Sequence, residues 1–304
     1  MSLQVAFNQA RQSILSINTD FALTGRNIAG ANDPVHSRVV AERVTTFENG
    51  ARIVGIRRTV DESLAVRMLS ATSTAAAERA LADGLSRLAA TVGDPADGGS
   101  PAARIGELAG ALLDFANAPE ELTLGLEAVE AAREVVRSLV EAAGTVLAVR
   151  EEADAAMARA AGDLASLLSA FGNLNDRIRE GTVLGRDVTL LLDQRDALVA
   201  RMSEHLGVTT QIRDNNDMAL FTDSGVTLFD TSARAIAFAP TATYAPGATG
   251  NAFFVDGVAV AGPGAVMPVR TGALVGLAAL RDEVAVTFER QIDEIARALV
   301  AQFQ

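Results

Sequence analysis

Residues 129–178 read VEAAREVVRSLVEAAGTVLAVREEADAAMARAAGDLASLLSAFGNLNDRI, and this stretch decides the fold class. Positions 129, 132, 136, 139, 143, 146, 150, 153, 157, 160, 164, 167, 171, 174 and 178 follow alternating steps of three and four. Fourteen of the fifteen are apolar and only Arg150 breaks the row, while Glu, Asp, Arg and Ala fill the positions between. That spacing predicts a long helix packed lengthwise on other helices. Its partners should be helical too. Residues 74–92 are alanine-rich with helical patterning, and Ile105, Leu108, Leu112 and Phe115 form a stripe after the loop Gly98-Gly99-Ser100-Pro101. Serine as N-cap and proline at the first helical position start that helix. Another runs from about Thr189 to His205 and stops at Gly207. Helical spacing returns with Leu277, Leu280, Val284, Phe288, Ile292, Ile295 and Leu299.

Working outward, Leu3, Phe7, Ala10, Ile14, Ile17 and Phe21 make an N-terminal heptad stripe, resumed at Ile28 and stopped by Asn32-Asp33-Pro34. A single helix of that length is marginal in water without packing, so this arm is expected to need a cover. From Arg38 to Val60 β-branched residues predict extended, partly paired chain with a break at Asn49-Gly50. Between Val208 and Val269 the period changes to two, which predicts hairpins at residues 218–229 and at 253–260 around Asp256-Gly257, a dipeptide suited to a type I′ turn.

The fold class is therefore mainly α with a β module: an elongated bundle of long coiled-coil-like helices plus a small antiparallel β region. The expected partition is an N-terminal heptad helix at 1–40, an extended linker with short strands at 41–70, a long-helix bundle at 71–207, a β-rich module at 208–269 and a returning helix at 270–304.

Composition closes off most chemistry. All 26 basic residues are arginine, so lysine Schiff-base and P-loop mechanisms are absent, and with no cysteine there is no disulfide, thiolate zinc site or cysteine nucleophile. A net charge of -12 with no basic run weighs against nucleic acid as a partner. The acidity belongs to the body, since residues 1–70 carry eight arginines against six carboxylates. No cleavable signal is visible at the N-terminus, and no window reaches the roughly 18 apolar residues of a membrane span.

The densest polar cluster is Asp193-Gln194-Arg195-Asp196, where two carboxylates at i and i+3 share a helical face. Flanked by Leu190, Leu191, Leu192, Leu198 and Val199, it reads as the polar face of a buried helix rather than an acid and base pair. His205 sits at a helix end and His36 in a loop, neither with a second ligand at metal spacing, and no glycine motif opens a helix as a phosphate loop would. No catalytic, cofactor or metal site is expected.

The segment Gln9 to Arg38, with Asn27-Ile28-Ala29, Ala31-Asn32 and Ser37-Arg38, resembles the N-terminal motif of flagellar rod, hook and hook-associated proteins. That family usually has Gly-Tyr where Val35-His36 stands here. The run Leu190-Leu191-Leu192-Asp193-Gln194-Arg195-Asp196-Ala197-Leu198-Val199 resembles the signature helix of the hook-associated proteins at the hook-filament junction, and Leu174-Asn175-Asp176-Arg177-Ile178 precedes it as in that family. Val255-Asp256-Gly257 and the stretch 271–277 also stand in order.

The resemblance implies a structural subunit of the flagellum, exported through the flagellar type III channel with the help of an export chaperone. It would assemble as a ring between the hook protein and the second junction protein, hook-associated protein 3. No enzyme activity and no cofactor come with it. The implied assembly residues are Leu3, Phe7, Ile14, Ile17, Phe21, Asn27, Ile28, Asn32 and Arg38, and the implied structural signature is Leu192, Asp193, Gln194, Arg195 and Asp196. Family members finish with a long C-terminal helix that pairs with the N-terminal one, and the resemblance implies that this sequence stops before it. The competing reading is a free-standing coiled-coil adaptor or signalling module, or another axial rod or hook protein.

Overall fold

The computed structural model describes residues 3–46, 50–93 and 99–303; Asn49 and Gly98 of the expected loops lie outside them. Among the described residues the chain is helix-dominated, with three small antiparallel sheets, as its hydrophobic periodicity requires. It forms two compact units, one made of residues 1–73 and 164–235, the other of 74–163 and 236–304.

In the first unit, helix α1 (Leu3–Ala29) packs on a hairpin of β1 (Val39–Thr46) and β2 (Gly50–Arg58). The described part of the expected extended segment is thus a paired ribbon, with one register shift between Glu42 and Arg43. Helix α2 (Glu62–Val92) starts twelve residues earlier than alanine content suggested; the Asp61 carboxylate accepts from the Leu64 backbone N–H (3.1 Å) and starts it.

Helix α3 (Pro101–Asn117) begins as read: Ser100 Oγ accepts from the Ala103 N–H (3.1 Å) and Pro101 follows it. Helix α4 (Leu122–Val183) contains the whole decisive stretch in 62 residues. From Val146 to Ile178 every position of the 3-4 row is buried, Arg150 included. Before Val146 the row splits. Leu139 is buried, whereas Val129, Val136 and Ala143 are exposed and Ala128, Val135 and Ala142 take their place inside. A helix of 3.6 residues per turn slips by roughly 20° per heptad against a 3.5-residue repeat, so a cover fixed on one side loses the same stripe after a few heptads.

In the second unit Leu88, Val146, Val149, Ala153, Leu280 and Ala285 form one core cluster, and Leu108, Val135 and Leu139 form another. Helix α5 (Thr189–His205) belongs to the first unit, where Leu174, Ile178 and Val188 are buried against Leu191, Leu192 and Leu198.

The β-rich stretch contributes to both units. Strands β3 (Val208–Ile212), β4 (Met218–Thr222) and β5 (Thr227–Phe229) form one sheet; β6 (Ile236–Ala237), β7 (Phe253–Val255) and β8 (Val258–Ala261) form the other. Asp256 and Gly257 adopt φ of 51° and 77°, the two left-handed residues of the expected turn. The last helical segment is interrupted: α6 (Ala273–Ala279) passes through a π-helical turn at Leu280–Val284 into α7 (Ala285–Gln302). A Cβ on Gly276 would run into the Ala77 carbonyl oxygen, so only glycine lets α6 lie this close to α2.

Candidate functional site

The sequence places its signature on α5 and its heptad arm on α1, and the structure joins them at the base of the arm. At the last turn of α1, Arg26 donates to Asp187 (Nη1 to Oδ2, 2.8 Å) and to Thr189 Oγ1 (3.0 Å). Asp187 in turn accepts from the Thr189 backbone N–H (3.0 Å), organising the first turn of α5. Burial works to raise the Asp187 pKa, but the bonds from Thr189 and the charge of Arg26 outweigh it, and the carboxyl sits below its ordinary value.

Asn27 pins the chain as it leaves the helix. Its amide donates to the Val39 carbonyl and its carbonyl accepts from the Val39 N–H, both at 2.9 Å, so one side chain mimics a strand partner at the start of β1. The turn between them is closed by Asp33, whose carboxylate accepts from the Val35 N–H (2.9 Å). His36 lies against Gly30 so closely that a Cβ there would overlap the imidazole ring, and His36 Nε2 is 3.3 Å from Asn27 Oδ1. With Val35-His36 in place of Gly-Tyr, the turn is still tied to Asn27 through that ring.

Asp193 holds the other side of the turn. Its carboxylate accepts from the Ser37 backbone N–H (3.2 Å) and from Arg58 Nη1 on β2 (2.8 Å), and His36 Nδ1 lies 3.8 Å away. The same Arg58 nitrogen donates to Asp196 (2.7 Å). One guanidinium nitrogen therefore bridges both carboxylates of the i, i+3 pair.

On the opposite face, fully buried Arg195 donates to Asn175 Oδ1 on α4 (3.0 Å) and to the Asn216 carbonyl. Asn175 completes the link by donating to Asp217 (2.6 Å) and accepting from the Met218 N–H (3.1 Å). Asn215 and Asn216 carry the left-handed φ of the turn between β3 and β4, a conformation asparagine tolerates. Burial pushes Arg195 down to about 10, partly offset by Asp196 and Asp217, so it stays cationic at neutral pH.

The remaining residues singled out from the sequence divide by role. Leu192 packs toward Leu174, Ile178 and Val188, while Gln194 is exposed. Leu3, Phe7, Ile14, Ile17, Phe21 and Ile28 are all exposed, Leu3 at 89% and Phe21 at 74%. Only Ser16 and Leu23 of α1 are buried among its described residues. Asn32 and Arg38 are exposed, and the Arg38 carbonyl accepts from the Thr59 N–H (2.8 Å). Sequence reasoning missed Arg26, Arg58 and Asp187, whose partners lie more than 130 residues away and leave no local spacing to detect.

Among the described residues no cluster of three or more His, Cys, Asp or Glu could hold a metal ion, and no helix is long and apolar enough to cross a membrane. The polar side chains of the site bond other parts of the chain, in a helix-dominated fold. The model of the flagellar hook-associated protein FlgK helical domain matches residues 85–304, well over half of the chain, and the chain belongs to that family. The resemblance read from the residues is borne out at this level. The fold is also similar to that of the flagellar hook junction protein FlgK from Burkholderia pseudomallei, with 21% identity and a TM-score of 0.58 over 71% of this chain and 39% of that one. The chain thus spans less than half the length of that neighbour. No curated protein matches it.

Proposed function

We propose that the chain is a structural subunit of the bacterial flagellum that forms the hook-filament junction, without enzymatic activity. It works outside the cell after type III export, and α1 is its assembly arm. The observation that carries this reading is the mismatch along α1. Its last turn is tied down by Arg26 and Asn27, yet Leu3, Phe7, Ile14, Ile17 and Phe21 lie exposed along the rest. Burying a Leu, Ile or Phe side chain contributes about 1.5–3 kcal/mol, so five left in water are a strong drive toward neighbouring helices. The family match supports the flagellar setting. The partners in this reading are further copies in a ring, the hook protein on one side, hook-associated protein 3 on the other, and an export chaperone before assembly.

The test is Ile14→Asp and Phe21→Asp in cells whose own copy is deleted. The variants are expected to be exported and to keep the circular dichroism of the wild-type body while disappearing from hook tips in negative-stain images. Incorporation at the wild-type level would overturn the role given to α1.

A further inference from the structure

The His36 ring is held in a slot with an acceptor at each of its two nitrogens. Gly30 closes one side, where a Cβ would overlap the imidazole, so only glycine lets the ring lie against the end of α1. Nε2 is 3.3 Å from Asn27 Oδ1, and Nδ1 is 3.8 Å from Asp193 Oδ2. The Asn27 amide cannot turn over, because its nitrogen donates to the Val39 carbonyl while its oxygen accepts from the Val39 N–H, both at 2.9 Å. The atom facing Nε2 is therefore an acceptor. The atom facing Nδ1 belongs to a carboxylate that also takes the Ser37 N–H (3.2 Å).

A neutral imidazole carries one N–H and one lone pair. With the proton on Nε2, the lone pair of Nδ1 faces the carboxylate; with the proton on Nδ1, the lone pair of Nε2 faces the amide oxygen. Only the protonated ring presents an N–H to both. The surrounding charges suit a cation as well. Asp193 and Asp196 on α5 supply two carboxylates and β2 supplies one guanidinium, Arg58, which bonds to both and leaves one negative charge over. On α1, Arg26 is engaged by Asp187, and Asp20 pairs with Arg43 of β1. In the turn, Asp33 accepts from the Val35 N–H. Arg38 and Arg57 are exposed, and Arg195 is turned to Asn175 on the other face of α5. The His36 side chain is 13% exposed, so the ring can exchange its proton with water without leaving the slot.

We propose that His36 is a protonation-operated latch: its charged ring ties the turn after α1 to Asp193 on α5, and its neutral ring loosens that tie. The contribution is present in mild acid and is lost as pH rises through the histidine range, around 6.5. The inference does not depend on the junction role, since it rests on this slot alone.

The test is hydrogen exchange on the full chain at about pH 5 and about pH 7.5, a range in which histidine is the side chain that ordinarily changes charge, with rates corrected for intrinsic chemical exchange. Peptides covering residues 27–40 and the start of α5 are expected to be better protected at the lower pH by roughly threefold or more. In His36→Gln that dependence should disappear, and in Asp193→Asn it should shrink in the same peptides. The chain has two histidines, so the location of the effect separates them without any variant. Equal protection of wild type at both pH values, a dependence that survives His36→Gln, or one centred on the residues around His205 would each overturn the proposal.

Discussion

Two buried polar centres, one in each unit, differ in how they were assembled. The first gathers around Asp193 and Arg195, which stand in one contiguous motif on α5, and draws Arg58, Asn175 and Asn216 to them from other segments. The second forms around Asp154 and Arg281. Arg281, fully buried in the π-helical turn, donates to Asp154 (2.6 Å), to Asp282 (2.8 Å) and to the Asn251 carbonyl (2.8 Å). Burial works against its charge, but the bonds and charges of Asp282 and Asp154 prevail and raise its pKa further. Asp154 also accepts from the Thr241 N–H (2.7 Å) and the Tyr244 hydroxyl (2.9 Å). Arg150 lies 4.2 Å from the Tyr244 ring centroid and pairs with Glu289 (3.1 Å) and the Ala248 carbonyl. Desolvation is the main cause holding the Tyr244 hydroxyl neutral to higher pH than usual.

The difference is one of escape routes. In the first centre Asp196 is about 43% exposed, so Arg58 keeps a solvated partner if Asp193 is lost. In the second, Asp154 and Arg281 are both closed off from water; removing Asp154 still leaves Arg281 paired with Asp282, whereas removing Arg281 leaves Asp154 a buried carboxylate without its cationic partner. Arg281→Ala is therefore expected to destabilise the second unit by about 3–5 kcal/mol, measured by denaturant unfolding. A loss below about 1 kcal/mol would show that water reaches Asp154 and would erase the contrast.

An apolar control calibrates the scale. Leu167→Ala, from the buried half of the α4 row, should cost about 2–5 kcal/mol without touching either centre. Asp193→Asn should come next, at about 1–3 kcal/mol, with faster hydrogen exchange confined to residues 27–58 and the start of α5. Exchange spreading through the second unit would mean that the two centres are energetically one.

The smallest expected effect is a pH dependence. Because the folded pKa of Asp187 lies below its unfolded value, its contribution is present above that value and is lost as pH falls through the folded one. Protection at the N-terminus of α5 should thus weaken below about pH 4, and Asp187→Asn should remove that part of the slope. An unchanged slope would assign the acid sensitivity to other carboxylates.

Legibility in the sequence followed the range of the interaction. Helix α4, the Ser100-Pro101 start of α3 and the Asp256-Gly257 turn were all readable, because each depends on residues within one or two turns of chain. The first centre was half readable: Asp193, Arg195 and Asn175 stood in recognisable stretches, but Arg58 and Arg26 did not. The second showed itself only as Arg150, the single break in an apolar row. Asp154 lies one turn along α4 from Arg150, but nothing near them announced Tyr244 and Arg281, which come from two distant segments and meet them only once the second unit has folded.

The sequence by itself determined the helical class, the long α4, the positions of both hairpins and the apolar stripe of α1, since period and turn chemistry act locally on the backbone. Tertiary structure decided which side of each stripe is covered. Val136 and Leu139 are three residues apart in the same apolar row, yet one faces solvent and the other the core. Burial depends on where a neighbouring helix lies, and no local pattern encodes that.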